Sequence, residues 1–222
     1  MPLTRKRLIV YDLDGTLVDT LEDIAASANF MLEQLGLPVV PAFDVRAYVG
    51  RGVRELVARC LGTGEPEQVG RGLRLYRAHY AVHLLDRSRL YPGAQEALEH
   101  FRKLGRPQAV ITNKPDPYSI RILEGLGIAG YFTAIIAGGG AYPKKPDPAS
   151  LRALMEQHGA VAAETVFVGD SPVDVATGRQ AGALTVALTH GLAGSEELRV
   201  AAPDAVIGGF RELVALASAG GW

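Results

Sequence analysis

The chain predicts an α/β fold: a parallel sheet flanked by helices, with a helical block inserted near its start. Three observations carry that expectation. An apolar run, Leu8-Ile9-Val10-Tyr11, opens the chain as a buried strand. From Leu21 to about Ser88, apolar residues recur at helical spacing with no convincing strand. From Ala94 onward, short apolar runs alternate with helical stretches, the pattern of right-handed βαβ crossovers. The first strand therefore belongs beside the later ones, and the helical block is an insertion.

The first strand ends in Asp12-Leu13-Asp14-Gly15-Thr16. Ligands of open α/β sheets bind at the carboxyl ends of strands. Asp12 and Asp14 are one residue apart, so an extended backbone aims both carboxylates the same way. Two such charges are costly together unless a cation or a proton lies between them. One could serve as nucleophile and the other as proton donor, with a hard cation such as Mg2+ balancing the charge. The alternative is an acidic strand-to-loop turn with Gly15 at positive φ.

In the helical block, Leu21, Ile24, Ala25, Ala28, Met31, Leu32 and Leu35 mark one helix, which Gly36 stops. Asp19, Glu22 and Asp23 fit its N-terminus and complement its dipole. Val53, Leu56, Val57 and Cys60 mark a second helix; Val69, Leu73, Tyr76 and Tyr80 mark a third. The arginines of the block read as solvated helix faces. Linkers are expected near Val18–Thr20 and Arg89–Pro92.

Beyond the block, Gln108-Ala109-Val110-Ile111 is a strand that ends in Thr112-Asn113-Lys114. A hydroxyl and free backbone N–H groups at a strand end suit a phosphate oxygen. Lys114 itself reads as a surface or helix-start cation. Ala134-Ile135-Ile136-Ala137 runs into a glycine turn and then Lys144-Lys145-Pro146-Asp147-Pro148. Pro148 fits the first turn of a helix starting near Ala149, with Asp147 as its cap, which holds Lys145 at the rim of the site. Thr165-Val166-Phe167-Val168 ends in Gly169-Asp170-Ser171-Pro172-Val173-Asp174, a second acidic strand end. Its Asp170 and Asp174 lie one helical turn apart on one face. The Gly/Ala-rich stretch from Ala215 to Gly221 is expected to fray.

Composition excludes more than it assigns. The chain has 222 residues, enough to bury a real core. Its 23 Lys and Arg nearly balance 24 Asp and Glu, so no basic surplus points to nucleic acid or an anionic membrane. Cys60 is the only cysteine, which rules out an intrachain disulfide and favours a reducing compartment. The basic start, Met1 to Arg7, precedes an apolar run too short for a signal sequence, and no segment approaches membrane-spanning length. A cytoplasmic protein is expected.

Taken in order, Asp12-Leu13-Asp14-Gly15-Thr16-Leu17-Val18-Asp19-Thr20, Thr112-Asn113-Lys114, Lys145-Pro146 and Gly169-Asp170-Ser171-Pro172-Val173-Asp174 resemble the motifs of the haloacid dehalogenase (HAD) superfamily phosphatases. Within them the chain looks like the phosphoglycolate phosphatase branch, and Tyr91-Pro92-Gly93 resembles the return from cap to core. The resemblance implies a Rossmann-like catalytic core over residues 1–18 and 91–222, with a C1-type helical cap over 19–90. It implies that Asp12 attacks phosphorus to form an aspartyl-phosphate. Asp14 then protonates the leaving alkoxide and later deprotonates water. Asp170, the Asp12 side chain and the Asp14 carbonyl would hold Mg2+. Thr112, the Asn113 backbone and Lys145 would hold phosphoryl oxygens, Lys145 being chosen over Lys144 because Pro146 follows it. Asp174 supports the metal or orients Lys145; Thr16 steadies Asp14 or shapes the turn.

The loop Tyr48-Val49-Gly50-Arg51-Gly52-Val53 resembles the cap loop that closes over the active site in this family. Gly50 and Gly52 allow close backbone approach, and Arg51 either pairs with a substrate carboxylate or stays in solvent. The implied function is Mg2+-dependent hydrolysis of a small-molecule phosphate ester such as 2-phosphoglycolate, by a monomer or homodimer. Pyrophosphatase, sugar-phosphate phosphatase and β-phosphoglucomutase activities are alternatives of the same fold. A non-catalytic phosphate-binding regulatory module is the alternative of another class.

Overall fold

A computed structural model describes residues 6–220 of the chain. Strand β1 (Leu8–Tyr11) is followed by the short β2 (Val18–Asp19) and by four helices, α1 (Leu21–Gln34), α2 (Ala42–Arg46), α3 (Val53–Leu61) and α4 (Pro66–His83). The short β3 (Arg89–Leu90) leads into α5 (Ala94–Lys103), β4 (Gln108–Pro115), α6 (Tyr118–Gly125) and β5 (Ala134–Gly138). Then come α7 (Ala149–Gln157), β6 (Thr165–Gly169), α8 (Pro172–Ala181) and β7 (Leu184–Leu188). The described chain closes with α9 (Ser195–Ala201), β8 (Ala205–Ile207) and α10 (Phe210–Gly220).

The main sheet has six strands in the order β5-β4-β1-β6-β7-β8, and every pair in it is parallel. The first strand in sequence is thus central, as the alternation of later strands and helices requires. A strand buried on both faces must be apolar throughout, and all four residues of β1 are buried. Ile9 and Tyr11 face α5 and α10, packing with Phe101, Phe210 and Leu213. Leu8 and Val10 face the other way, against Leu151 and Leu154 of α7. Each of these large side chains contributes about 1.5–3 kcal/mol by leaving water.

The helical block leaves and rejoins the sheet through one antiparallel ribbon, in which Val18 pairs with Leu90 and Asp19 with Arg89. Arg89 also binds Asp19 through its side chain at 3.0 Å, and the Tyr91 N–H donates to Leu17 O at 3.1 Å. Asp23 does more than complement the α1 dipole. It is buried, and it accepts from the Arg87 N–H, the Ser88 N–H and the Ser88 hydroxyl, so its oxygens tie the returning chain to α1. Within the block, α1, α3 and α4 pack closely around Gly72, where a Cβ would stand 2.9 Å from Val57 Cγ1. Its core runs without a break into the sheet's own.

Three expectations change. Arg46 is not a solvated arginine: it donates to Leu192 O at 2.5 Å and to Gly191 O at 2.6 Å, joining the helical block to the loop after β7. The Gly/Ala-rich end does not fray within the described residues, because α10 runs to Gly220 with Leu213 and Ala217 buried; Gly221 lies outside them. Pro148, rather than Asp147, stands at the N-cap position of α7, while Asp147 Oδ1 accepts from the Ala149 N–H at 2.9 Å. The start of the chain through Arg5 lies outside the described residues. Among the described residues no helix is long and apolar enough to cross a membrane.

Candidate active site

The carboxyl ends of β1, β4 and β6 converge, and the residues that follow them form one polar centre. The Asp12 N–H donates to Val168 O at 3.0 Å, which sets the two acidic strand ends side by side. Gly15, at φ 83°, lets the chain turn against the second of them: a Cβ there would lie 2.3 Å from Asp170 Oδ2. The loop after β5 brings Lys145 across. Its ammonium stands 2.8 Å from Asp12 Oδ1 and 2.6 Å from Asp174 Oδ1, with the side chain 2% exposed. Lys144, by contrast, is exposed.

Each carboxylate has its own supports. Asp170 accepts from the Thr16 hydroxyl at 2.6 Å and from the Leu192 N–H at 2.7 Å. Asp174 gives one oxygen to Lys145 and the other to the Ser171 N–H and hydroxyl, so it both orients the lysine and closes the α8 capping box. Asp14 accepts from the Thr20 hydroxyl at 2.6 Å and from Lys114 Nζ at 2.9 Å. The hydroxyl that steadies Asp14 is therefore that of Thr20, while Thr16 steadies Asp170. Lys114 is no surface cation: its side chain is 5% exposed. No local spacing signals this, because the strand runs on past Ile111 to Pro115 only in the fold.

Charge in this centre is unbalanced. Asp12, Asp170 and Asp174 are all buried, and one ligand atom from each lies within 4.8 Å of the others. Burial pushes the Asp12 carboxyl up to about 7, with the Asp174 and Asp14 charges adding to the shift and Lys145 opposing it. Burial likewise raises Asp170 well above the usual carboxylate range, helped by Asp174 and Asp12. Burial alone would lower Lys145, but the charges of Asp12 and Asp174 prevail and raise it, so it stays an ammonium. One lysine against three buried aspartates leaves surplus negative charge when all three are ionised. Hard oxygen donors with such a surplus fit a divalent cation of the Mg2+ type.

The remaining residues singled out from sequence divide between two hollows. Asn113 acts through its side chain as well as standing at the strand end. Its amide nitrogen donates to Gly50 O at 2.8 Å and to Lys145 O at 3.0 Å, and its Oδ1 accepts from the Lys145 N–H at 2.9 Å. Thr112 is buried beside it, its hydroxyl accepting from the Lys114 N–H at 3.1 Å. Gly52, at φ 94°, begins α3 and lines, with Asp12, Asp14 and Thr112, a pocket of about 50 Å3. Arg51 is exposed and lines a wider cleft of about 520 Å3, which also reaches Asp12, Asp14 and Asp170.

Buried aspartates and a paired lysine at the carboxyl edge of a parallel sheet define an acidic centre of the doubly wound α/β class, under a helical insertion. The family model for haloacid dehalogenase-like hydrolase matches residues 9–188, and the chain belongs to that family. A phosphoglycolate phosphatase of Vibrio parahaemolyticus is 38% identical over 216 residues, 94% of this chain and 94% of the relative. One from Neisseria meningitidis is 38% identical over 213 residues, 92% of this chain and 91% of the relative. A crystal structure from Haemophilus somnus, of a predicted phosphoglycolate phosphatase, superposes with a TM-score of 0.91 at 31% identity, over 96% of this chain and 99% of that one.

Proposed function

We propose that the protein is a Mg2+-dependent phosphomonoester hydrolase whose substrate is a small phosphorylated acid such as 2-phosphoglycolate. The observation that carries this proposal is the buried Asp12 carboxylate, held 2.8 Å from Lys145 at the end of β1, with Asp14 on the same strand end. The relatives' names supply the substrate class. Residues 1–18 and 91–222 are the proposed catalytic core, and residues 19–90 the cap that selects the substrate.

In the proposed reaction an Asp12 oxygen attacks phosphorus as the P–O bond to the alcohol breaks, leaving an aspartyl-phosphate. The alkoxide takes its proton from the Asp14 carboxyl. Asp14 then removes a proton from water, whose oxygen attacks the same phosphorus and frees Asp12 and inorganic phosphate. Lys145 and the Thr112–Asn113 strand end hold phosphoryl oxygens, where transition-state charge collects. Asp12, Asp170 and the Asp14 carbonyl would hold Mg2+, which when bound offsets the charge between phosphate and carboxylates. Asp174 and Thr16 act through Lys145 and Asp170, whose positions they set. The test is phosphate release from 2-phosphoglycolate and p-nitrophenyl phosphate with and without Mg2+, in wild type and Asp12→Asn. Turnover that survives in Asp12→Asn would remove the nucleophile from the scheme. Binding of phosphate esters without turnover would favour a regulatory module instead.

A further inference from the structure

Two groups in the smaller pocket are not used by the phosphoryl chemistry. Lys114, at the end of β4, places its ammonium 2.9 Å from Asp14 Oδ1 and 4.7 Å from the centre of the Tyr80 ring. Tyr80, from α4, is 1% exposed, and its buried hydroxyl has no hydrogen-bond partner among the described residues. Burial raises the phenol's pKa well above its usual value, so the hydroxyl keeps its proton and is free to donate. A buried donor without an acceptor is costly and calls for an explanation. Both residues line the pocket, and Lys114 is the only Lys or Arg among the described residues that do.

The pocket also places them beside the proposed catalytic pair. Asp12 and Asp14 line the same space, so an ester with its phosphorus at Asp12 and its alcohol oxygen at Asp14 would bring its far end to Lys114, whose ammonium binds Asp14. Ile24, Val53 and Leu56 also line the pocket and carry no polar side-chain group. The volume, about 50 Å3, is small beside the 520 Å3 of the cleft that Arg51 lines. An ammonium has three protons, so Lys114 can keep Asp14 and still bind a second anion.

We propose that Lys114 Nζ and the Tyr80 hydroxyl form the subsite for the carboxylate of a two- or three-carbon phosphorylated acid, which makes them the specificity residues of the site in place of the exposed Arg51. This assignment rests on the phosphatase function proposed for Asp12. Such a subsite disfavours neutral esters by leaving its charge unanswered.

The test compares kcat/KM for 2-phosphoglycolate and for ethyl phosphate, an ester of the same length without the carboxylate. Wild type should prefer the acid. Lys114→Met should lower the ratio of acid to neutral ester about a hundredfold, mostly through KM, because one partner of a desolvated charge pair is gone. Tyr80→Phe keeps the packing and should lower the same ratio about three- to tenfold; it carries the test if Lys114→Met does not fold. Equal losses on both esters in the folded variants would overturn the subsite and leave the pair as a support for Asp14. If wild type hydrolyses ethyl phosphate as well as the acid, the subsite falls while the phosphatase stands. If it releases phosphate from neither ester, the phosphatase function falls and takes the subsite with it.

Discussion

Removing divalent metal and raising the pH should destabilise this protein, by an amount set largely by Asp12. Its carboxyl titrates at about 7 in the fold against an ordinary 3.8, first because it is buried and further because Asp174 and Asp14 lie near. The folded state therefore binds more protons than the unfolded chain between those two values. The resulting stabilisation is complete below the unfolded value and is lost as pH rises through about 7. From pH 6 to pH 8 a single group of this kind removes about 1.4 kcal/mol. For a domain of this size that is about 3–6 °C in Tm. Thermal melts in EDTA at pH 6, 7 and 8 measure it. Asp170 is shifted in the same direction and adds to the total, so the informative quantity is the difference between wild type and Asp12→Asn. The variant should lose roughly 3–6 °C less than wild type across this range. Saturating Mg2+ should flatten the wild-type slope, because the cation replaces the proton between the carboxylates. An equal fall in Tm for both proteins would refute the argument that Asp12 titrates in this window.

Asp14→Asn should accumulate a phosphorylated protein with p-nitrophenyl phosphate, whereas Asp12→Asn should show none. Acid-quench trapping of equal amounts in the two would overturn their assigned roles. Asp170→Ala should stay folded but lose most of the Tm gain that Mg2+ confers at pH 8; an undiminished gain would remove Asp170 from the cation site. Gly169→Ala would place a Cβ 2.2 Å from Asp174 Cβ and should cost more than about 3 kcal/mol, so a wild-type denaturation midpoint would contradict the packing. Arg46→Ala strips donors from the Gly191 and Leu192 carbonyls and should cost about 1–3 kcal/mol. Hydrogen exchange should rise around residues 191–193, and unchanged protection there would show that Arg46 does not hold the two parts together.

Much of the architecture is legible in one dimension because it rests on local periodicity. The β-branched run before Asp12, the helical spacing from Leu21 to Tyr80 and the later alternation of strand and helix each reflect which face of an element is buried. The strand ends that carry Asp12, Thr112 and Asp170 follow directly, since each lies where an apolar run stops. The choice of Lys145 over Lys144 came from resemblance to a motif. The structure supplies a physical difference between them, burial of one ammonium between Asp12 and Asp174 and exposure of the other.

Partnerships between elements are another matter, because nothing in local spacing encodes which side chain meets which across the sheet. Lys114 reads as a surface cation until α4 lays Tyr80 beneath it and β1 sets Asp14 beside it, 100 residues away in sequence. Thr16 serves Asp170 rather than Asp14 because Gly15 turns the chain toward β6. Asp23 looks like a dipole partner until the returning chain supplies three donors to it. Arg46 looks solvated until the loop after β7 presents its carbonyls. By itself the sequence determined four strands, the helical block and the ends at which charge must collect, since burial writes a period into the chain. Only tertiary structure decided which charges are paired and which donor is left waiting for a ligand, since those depend on the packing of elements remote in sequence.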